Sequence, residues 1–181
     1  KPHQESITTT GAFDAPNGQG SYFGALSTLI MNNAAVPVAF VPGAQGSTTL
    51  TQWSVVSNGN NPFWSYGSAL TQAQGAGGVC KAVLCLLGTN ADALDATQST
   101  DAYNAIINAY KASIGCKTVV YLAVGANAAN NTAVANVLAG NADALAGPTF
   151  VGAWSGTHYL TSSEIDVAAG RAWTALQTLF Y

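Results

Sequence analysis

The sequence predicts an α/β fold in which helices alternate with the strands of a mainly parallel sheet. Four short apolar runs rich in β-branched residues are typical of strands buried on both faces, and they cover residues 36–41, 82–87, 118–124 and 150–154. Between these runs, apolar residues recur every three or four positions, as they do in amphipathic helices. Strands that alternate with helices favour a parallel sheet joined by right-handed crossovers.

Helical spacing predicts four helices. The first carries one apolar face, formed by Tyr22, Phe23, Leu26, Leu29 and Ile30. The second carries a similar face, formed by Tyr103, Ile106, Ile107, Tyr110 and Ile114. This second helix is expected to begin at the cap-forming cluster 99–101, a weaker third covers 133–145, and the last runs from 162 to 180 behind a capping box at 161–164. No linker or repeat divides the chain, so residues 1–181 are expected to form one domain.

Composition excludes several classes of function. The chain is 49% hydrophobic, only 7% charged and has a net charge of −3, so it lacks the basic footprint that nucleic acids require. No apolar run approaches the ~20 residues of a membrane span. The two histidines exclude a metal centre built from several imidazoles, and we expect no metal or other cofactor. An uncharged, Asn- and Thr-rich surface favours an extracellular protein, either secreted or part of a virion.

Functional groups are expected where the predicted strands end, because parallel sheets place their sites at the carboxyl ends of strands. Small glycine-containing turns follow three of these strands, at residues 42–49, 88–90 and 155–158. His158 lies in the last turn. A lone histidine is more often structural than catalytic, but a position on a loop favours a general base. Such a base needs a hydroxyl or thiol nucleophile, and Ser6 is one candidate.

Four short motifs resemble the conserved blocks of the SGNH (GDSL-type) hydrolases. Ser6 in ESIT, Gly46 in GAQGST, Asn90 in GTN and His158 in GTHYLT occur in the order and approximate spacing of those blocks. The resemblance covers nearly the whole chain and is closest to the carbohydrate-esterase branch, which includes sialate- and acetylxylan-type O-acetylesterases. It implies a flavodoxin-like three-layer α/β/α sandwich and the removal of an acetyl or other short acyl group, with a carbohydrate ester as the expected substrate.

The resemblance also implies a role for each motif. Ser6 would attack the ester carbonyl while His158 takes its proton and later returns it to the alcohol. The oxyanion would be held by the backbone N–H groups of Ser6 and Gly46 and by the side-chain amide of Asn90.

The chain departs from the family pattern at three positions. Gln4 and Glu5 stand where the family has Gly and Asp, and Ser155 stands where it has the Asp that precedes the histidine. His158 would then be oriented by Ser155 or by a backbone carbonyl, or another carboxylate would reach it. Five residues precede Ser6, so the first strand is expected to be short or missing. These departures favour an alternative function, a non-catalytic SGNH-like module that binds glycans or has a structural role.

Several further residues have two explanations. Trp154 and Trp53 suit the lining of a sugar-binding groove, and core packing is the alternative.

The matching runs CKAVLCLLG and CKTVVYLAVG place Cys80 and Cys116 level on adjacent strands, within reach of a disulfide, whereas three reduced core cysteines are the alternative. Residues 130–132 match a glycosylation acceptor, a pattern that is mostly accidental. The aspartates between 92 and 101 suggest a glycosidase or Ca²⁺ site, but charge complementarity at a helix start explains them better.

Overall fold

A computed structural model of the chain describes residues 23–40, 49–54, 80–85, 87, 93–123, 128–150 and 162–181. The helices in these ranges are α1 (Phe23–Ala34), α2 (Leu50–Trp53), α3 (Ala96–Ile114), α4 (Ala128–Gly140) and α5 (Ser162–Leu176), and α5 continues into a 3-10 turn at Gln177–Leu179. The strands are β1 (Ala82–Cys85), β2 (Lys117–Ala123) and β3 (Ala144–Phe150). No helix in the described ranges is long and apolar enough to cross a membrane.

The three strands form an open parallel sheet in the order β1-β2-β3. Ala82 lies opposite Lys117 in the first pair, and Thr118 lies opposite Ala144 in the second. Helices α3 and α4 occupy the connections between consecutive strands. The predicted α/β class with a parallel sheet is therefore confirmed.

Two apolar clusters pack against the sheet. The α1–α5 cluster consists of Phe23, Leu26, Ile30, Val119, Ala168, Ala169, Ala172 and Leu176. The α3–α4 cluster consists of Leu50, Trp53, Cys85, Ala102, Tyr103, Ile106, Ile107, Tyr110, Val120, Ala133, Val134 and Val137. Val119 and Val120 are consecutive in β2 but belong to different clusters. Because successive side chains of a strand point to opposite faces, the two clusters lie on opposite faces of the sheet.

The predicted apolar faces of the first two long helices are confirmed over their described residues, and Tyr22 lies outside these; the second helix begins earlier than expected. Asp95 is its N-cap, and its carboxylate accepts a hydrogen bond from the backbone N–H of Gln98 at 2.8 Å. The Gln98 side chain accepts in return from the backbone N–H of Asp95 at 3.0 Å, which completes a capping box. The cap predicted at 99–101 is therefore wrong, whereas the helix-start explanation is correct for Asp95. Gly115 ends the helix in the left-handed conformation, with φ at 74°.

The strand predicted at 36–41 is wrong over its described part, because residues 36–40 are outside any strand. Val38 and Phe40 pack against the α1–α5 cluster, and the rings of Phe40 and Phe23 lie 4.8 Å apart. The apolar run that suggested a strand is thus explained by packing. Pro37 lacks a backbone N–H and cannot donate to a ladder, which disfavours strand pairing at this point.

Helix and strand boundaries also differ from the prediction in the second half of the chain. Helix α4 ends at Gly140 rather than at 145, and β3 begins at Ala144 rather than at 150; residues 151–154 lie outside the described residues. The α-helical part of α5 ends at Leu176 rather than at 180. The β2–β3 register shifts between the pairs Val120–Ala146 and Leu122–Thr149. The shift coincides with Pro148, whose nitrogen cannot take part in a regular ladder.

Candidate functional site

Most of the residues to which the sequence assigns a role lie outside the described residues. They are Ser6, Gly46, Asn90, Trp154, Ser155 and His158. What the structure describes is the frame of strands and helices that leads into their segments.

The frame consists of the carboxyl edge of the sheet and the helices that return from it. Strands β1 and β3 run in the same direction on either side of β2, so both end at the same edge. The segment with Asn90 follows β1 within a few residues, and the segment with His158 joins the end of β3 to the start of α5.

The chain that leaves β1 is held at Leu87 by a buried tyrosine of α3. The Tyr103 hydroxyl lies 2.9 Å from the carbonyl oxygen of Leu87 and 3.0 Å from Oδ1 of Asn130 in α4, so its proton is shared between two acceptors. Tyr103 is completely buried and Asn130 is 3% exposed. Burial, with a smaller contribution from the nearby Cys85 thiol, raises the pKa of Tyr103 well above its usual value. The phenol therefore stays protonated and remains a hydrogen-bond donor.

Tyr103 thus anchors Leu87, the last described residue before the segment that carries Asn90, and the sequence reading missed this contact. Helical spacing assigned Tyr103 to a core face, which is correct for its ring but says nothing of its hydroxyl. The available signal was a phenol within a stripe of aliphatic residues, since a buried tyrosine O–H usually has a partner. The Asn130 side chain, in the first turn of α4, is likewise buried. The glycosylation pattern at 130–132 is therefore an accidental match.

Replacing Tyr103 with phenylalanine is expected to lower the free energy of unfolding by about 1–3 kcal/mol, because the half-buried carbonyl of Leu87 and the buried amide oxygen of Asn130 lose this donor. Urea denaturation measures the change. Tyr110→Phe is the matched control, since Tyr110 is buried in the same cluster and its hydroxyl makes no hydrogen bond within the described residues. Equal losses in the two variants would contradict the anchoring role.

Trp53 is the predicted groove residue that the structure describes. Its side chain is 5% exposed and belongs to the α3–α4 cluster. Trp53 is therefore a core residue rather than a groove residue, because a ring this deeply buried offers no face to a sugar.

The three cysteines are free thiols, and two of them are in contact. Cys80 is half-buried, Cys116 is buried, and their side chains are hydrogen-bonding partners. The register differs by one residue from the matched sequence runs, since Ala82 lies opposite Lys117 rather than opposite Thr118. A disulfide between Cys80 and Cys116 stays a prediction, and the proximity it requires is present.

No group of three or more His, Cys, Asp or Glu side chains within the described ranges could hold a metal ion. Comparison with known protein families, with curated proteins and with solved structures found no match. The sequence motifs and the strands and helices at the carboxyl edge of the sheet are therefore the features that indicate a function.

Proposed function

We propose that the chain is a serine ester hydrolase that removes an acetyl or another short acyl group from a carbohydrate. Ser6 is the nucleophile and His158 is the general base. The backbone N–H groups of Ser6 and Gly46 and the amide of Asn90 stabilise the oxyanion. The reaction needs neither a metal nor another cofactor.

The observation that carries this proposal is the parallel direction of β1 and β3. Because both strands end at one edge of the sheet, the segments with Asn90 and His158 begin from the same side of the molecule. An ester hydrolase needs its base and its oxyanion donor around one carbonyl group. The anchor between Tyr103 and Leu87 adds support, since it restrains the chain directly before the Asn90 segment.

The same frame supports a flavodoxin-like three-layer sandwich as the proposed complete fold. The order β1-β2-β3 matches the last three positions of the 2-1-3-4-5 order of that fold. In that order the strand before Ser6 would lie next to β1, along the edge of β1 that is not paired with β2.

In the proposed mechanism His158 takes the proton of Ser6 as Oγ attacks the ester carbonyl carbon. The bond to the alcohol breaks, the alcohol leaves with the proton from His158, and an acyl-Ser6 ester remains. A water molecule activated by His158 then hydrolyses this ester. Ser155 or a backbone carbonyl can accept the second imidazole N–H and fix the tautomer, but neither supplies the negative charge of an aspartate. Loss of that aspartate in a known triad costs ~10⁴ in turnover, so a slow enzyme is expected.

A fluorophosphonate ester tests the proposal without a choice of substrate, because it reacts with activated serine hydroxyls. Incubation with the full chain is expected to give one adduct, which mass spectrometry locates at Ser6. The folded His158→Ala variant and the unfolded wild-type chain should not react. Adducts spread over several serines, or equal labelling of His158→Ala, would contradict the proposal.

The departures at Gln4, Glu5 and Ser155 favour a second candidate function, a non-catalytic module that binds glycans or has a structural role. Such a module would leave Ser6 unlabelled in a chain shown by circular dichroism to be folded. Retention of acetylated glycans on an array would then support binding without hydrolysis.

A further inference from the structure

Cys80 and Cys116 lie at the amino-terminal edge of the sheet, opposite the edge at which the candidate catalytic segments begin. Cys116 directly precedes β2, and Cys80 lies two residues before β1. The two strands are paired neighbours, with Ala82 opposite Lys117. Cys80 and Cys116 are offset by one residue in this register, so a strand spacing of about 4.8 Å and a rise of about 3.3 Å per residue give a Cα separation of roughly 5.8 Å, within the range of a disulfide.

The two thiols differ in exposure and in protonation. Cys80 is partly accessible, whereas Cys116 is 3% exposed. The hydrogen bond with the Cys116 side chain lowers the pKa of Cys80 to about 7, against a smaller opposing effect of burial. The same hydrogen bond, together with burial, raises the pKa of Cys116. Near neutral pH Cys80 is therefore the reactive thiolate and Cys116 holds the proton.

The surroundings of the pair contain no acidic side chain that interacts with either sulfur among the described residues. Tyr110 and Lys111 approach Cys116 from α3, and Lys111 also pairs with Asp143 at 3.2 Å. Lys81 and Lys117 adjoin the two cysteines in the chain. Of these lysines only Lys111 acts on a cysteine, where it slightly lowers the pKa of Cys116, so the lowered pKa of Cys80 comes from its contact with the Cys116 thiol.

Cys85 provides an internal contrast. It lies at the end of β1, belongs to the α3–α4 cluster and is buried. Burial raises the pKa of Cys85 to about 12, so it stays protonated and inaccessible.

We propose that Cys80 and Cys116 are a redox-active pair, in which Cys80 reacts with small organic disulfides and Cys116 resolves the product into an intramolecular disulfide. This redox chemistry is independent of the proposed esterase activity. The disulfide links the segment before β1 to the segment before β2.

The chemistry proceeds by two thiol–disulfide exchanges. The Cys80 thiolate attacks one sulfur of the reagent, its S–S bond breaks, and one thiolate leaves while a mixed disulfide forms on Cys80. Cys116 then gives up its proton and attacks the Cys80 sulfur, and the second thiolate leaves. The two protein thiols are oxidised to a disulfide, and the reagent is reduced to two thiols that carry away the two protons.

Exposure of the reduced full chain to 2-hydroxyethyl disulfide, an uncharged reagent, tests the proposal. Trypsin cleaves after Lys81, Lys111 and Lys117, which places the three cysteines on separate peptides. The expected product joins the Cys80 and Cys116 peptides and lacks two hydrogen atoms relative to the reduced chain. Cys116→Ser should accumulate the mixed disulfide on Cys80, Cys80→Ser should stay unmodified, and Cys85→Ala should behave as the wild type.

The pH dependence of the reaction separates a perturbed thiol from an ordinary one. With a pKa of about 7, the initial rate at Cys80 should rise about ten-fold from pH 6 to pH 8. An unperturbed thiol with a pKa of 9.0 would give about a hundred-fold rise. A hundred-fold rise, a link that involves Cys85, or a mixed disulfide that persists on Cys80 of the folded wild type would overturn the proposal.

Discussion

Alanine at either Ser6 or His158 is expected to slow the hydrolysis of p-nitrophenyl acetate by the full chain at least about 100-fold. In a known serine hydrolase, loss of the nucleophile or the base costs roughly 10⁶ in kcat, and loss of the aspartate alone costs roughly 10⁴. If Ser155 supplies none of the aspartate's contribution, the remaining Ser/His pair still accounts for roughly 10²-fold. The measured fall should therefore be at least about 10²-fold, and the double variant should be no slower than either single variant, because the two residues act as a unit.

His3→Ala is the control for this experiment, because His3 is the other histidine of the chain. It should keep the wild-type rate. The wild-type rate should also rise with pH as His158 loses its proton, because only the neutral imidazole can act as a general base. Unchanged activity in Ser6→Ala or His158→Ala, or a loss in His3→Ala alone, would contradict the proposed roles.

Strong local patterns predicted the elements that the structure bears out. The apolar faces of α1 and α3 follow from residues three and four positions apart, and Ile30 and Ile106 are indeed buried. Strands β1 and β2 follow from continuous apolar runs, and the run of β2 also contains the β-branched residues Thr118, Val119 and Val120. In these segments local preference and tertiary packing favour the same structure.

The prediction failed where tertiary contacts outweigh local preference. Strand β3 contains Ala, Gly and Pro in most of its positions, a composition with little β-propensity, so its place is decided by pairing with β2. Helix α4 is rich in alanine, which makes its ends hard to locate from periodicity. At α3 several cap-forming residues compete within 95–101, and the helix begins at Asp95, which has Gln98 as its capping-box partner.

The candidate site shows the same division. Short motifs nominated Ser6, Asn90 and His158, whereas no local pattern could indicate that Tyr103 holds Leu87. That contact joins a helix to the end of a strand, and its second acceptor, Asn130, comes from another helix. Trp53 was ambiguous because an aromatic ring suits a core and a sugar-binding groove equally well, and only its burial decides between them.

The single-domain prediction leads to a stability experiment on the two clusters. Ile30 lies in the α1–α5 cluster and Ile106 in the α3–α4 cluster, and both are almost completely buried. Ile30→Ala and Ile106→Ala are each expected to lower the free energy of unfolding by about 2–5 kcal/mol, from lost burial and the cavity left behind. Since domains have about 5–15 kcal/mol in total, Ile30→Val and Ile106→Val, at about 0.5–1.5 kcal/mol each, provide milder variants.

The two clusters should nevertheless unfold together, because β2 contributes Val119 to one and the adjacent Val120 to the other. If either cluster unfolds, β2 loses the side chains that pack on one of its faces, and the cluster on its other face loses the support of that strand. Urea denaturation of every variant should therefore give one transition with an unchanged m-value, and the double valine variant should show the sum of the single effects within about 0.5 kcal/mol. Met31→Ala, at an exposed position of α1, is the control and should change stability by less than about 0.5 kcal/mol. Two transitions, with Ile30→Val shifting one and Ile106→Val the other, would show that the faces of the sheet belong to separate cooperative units.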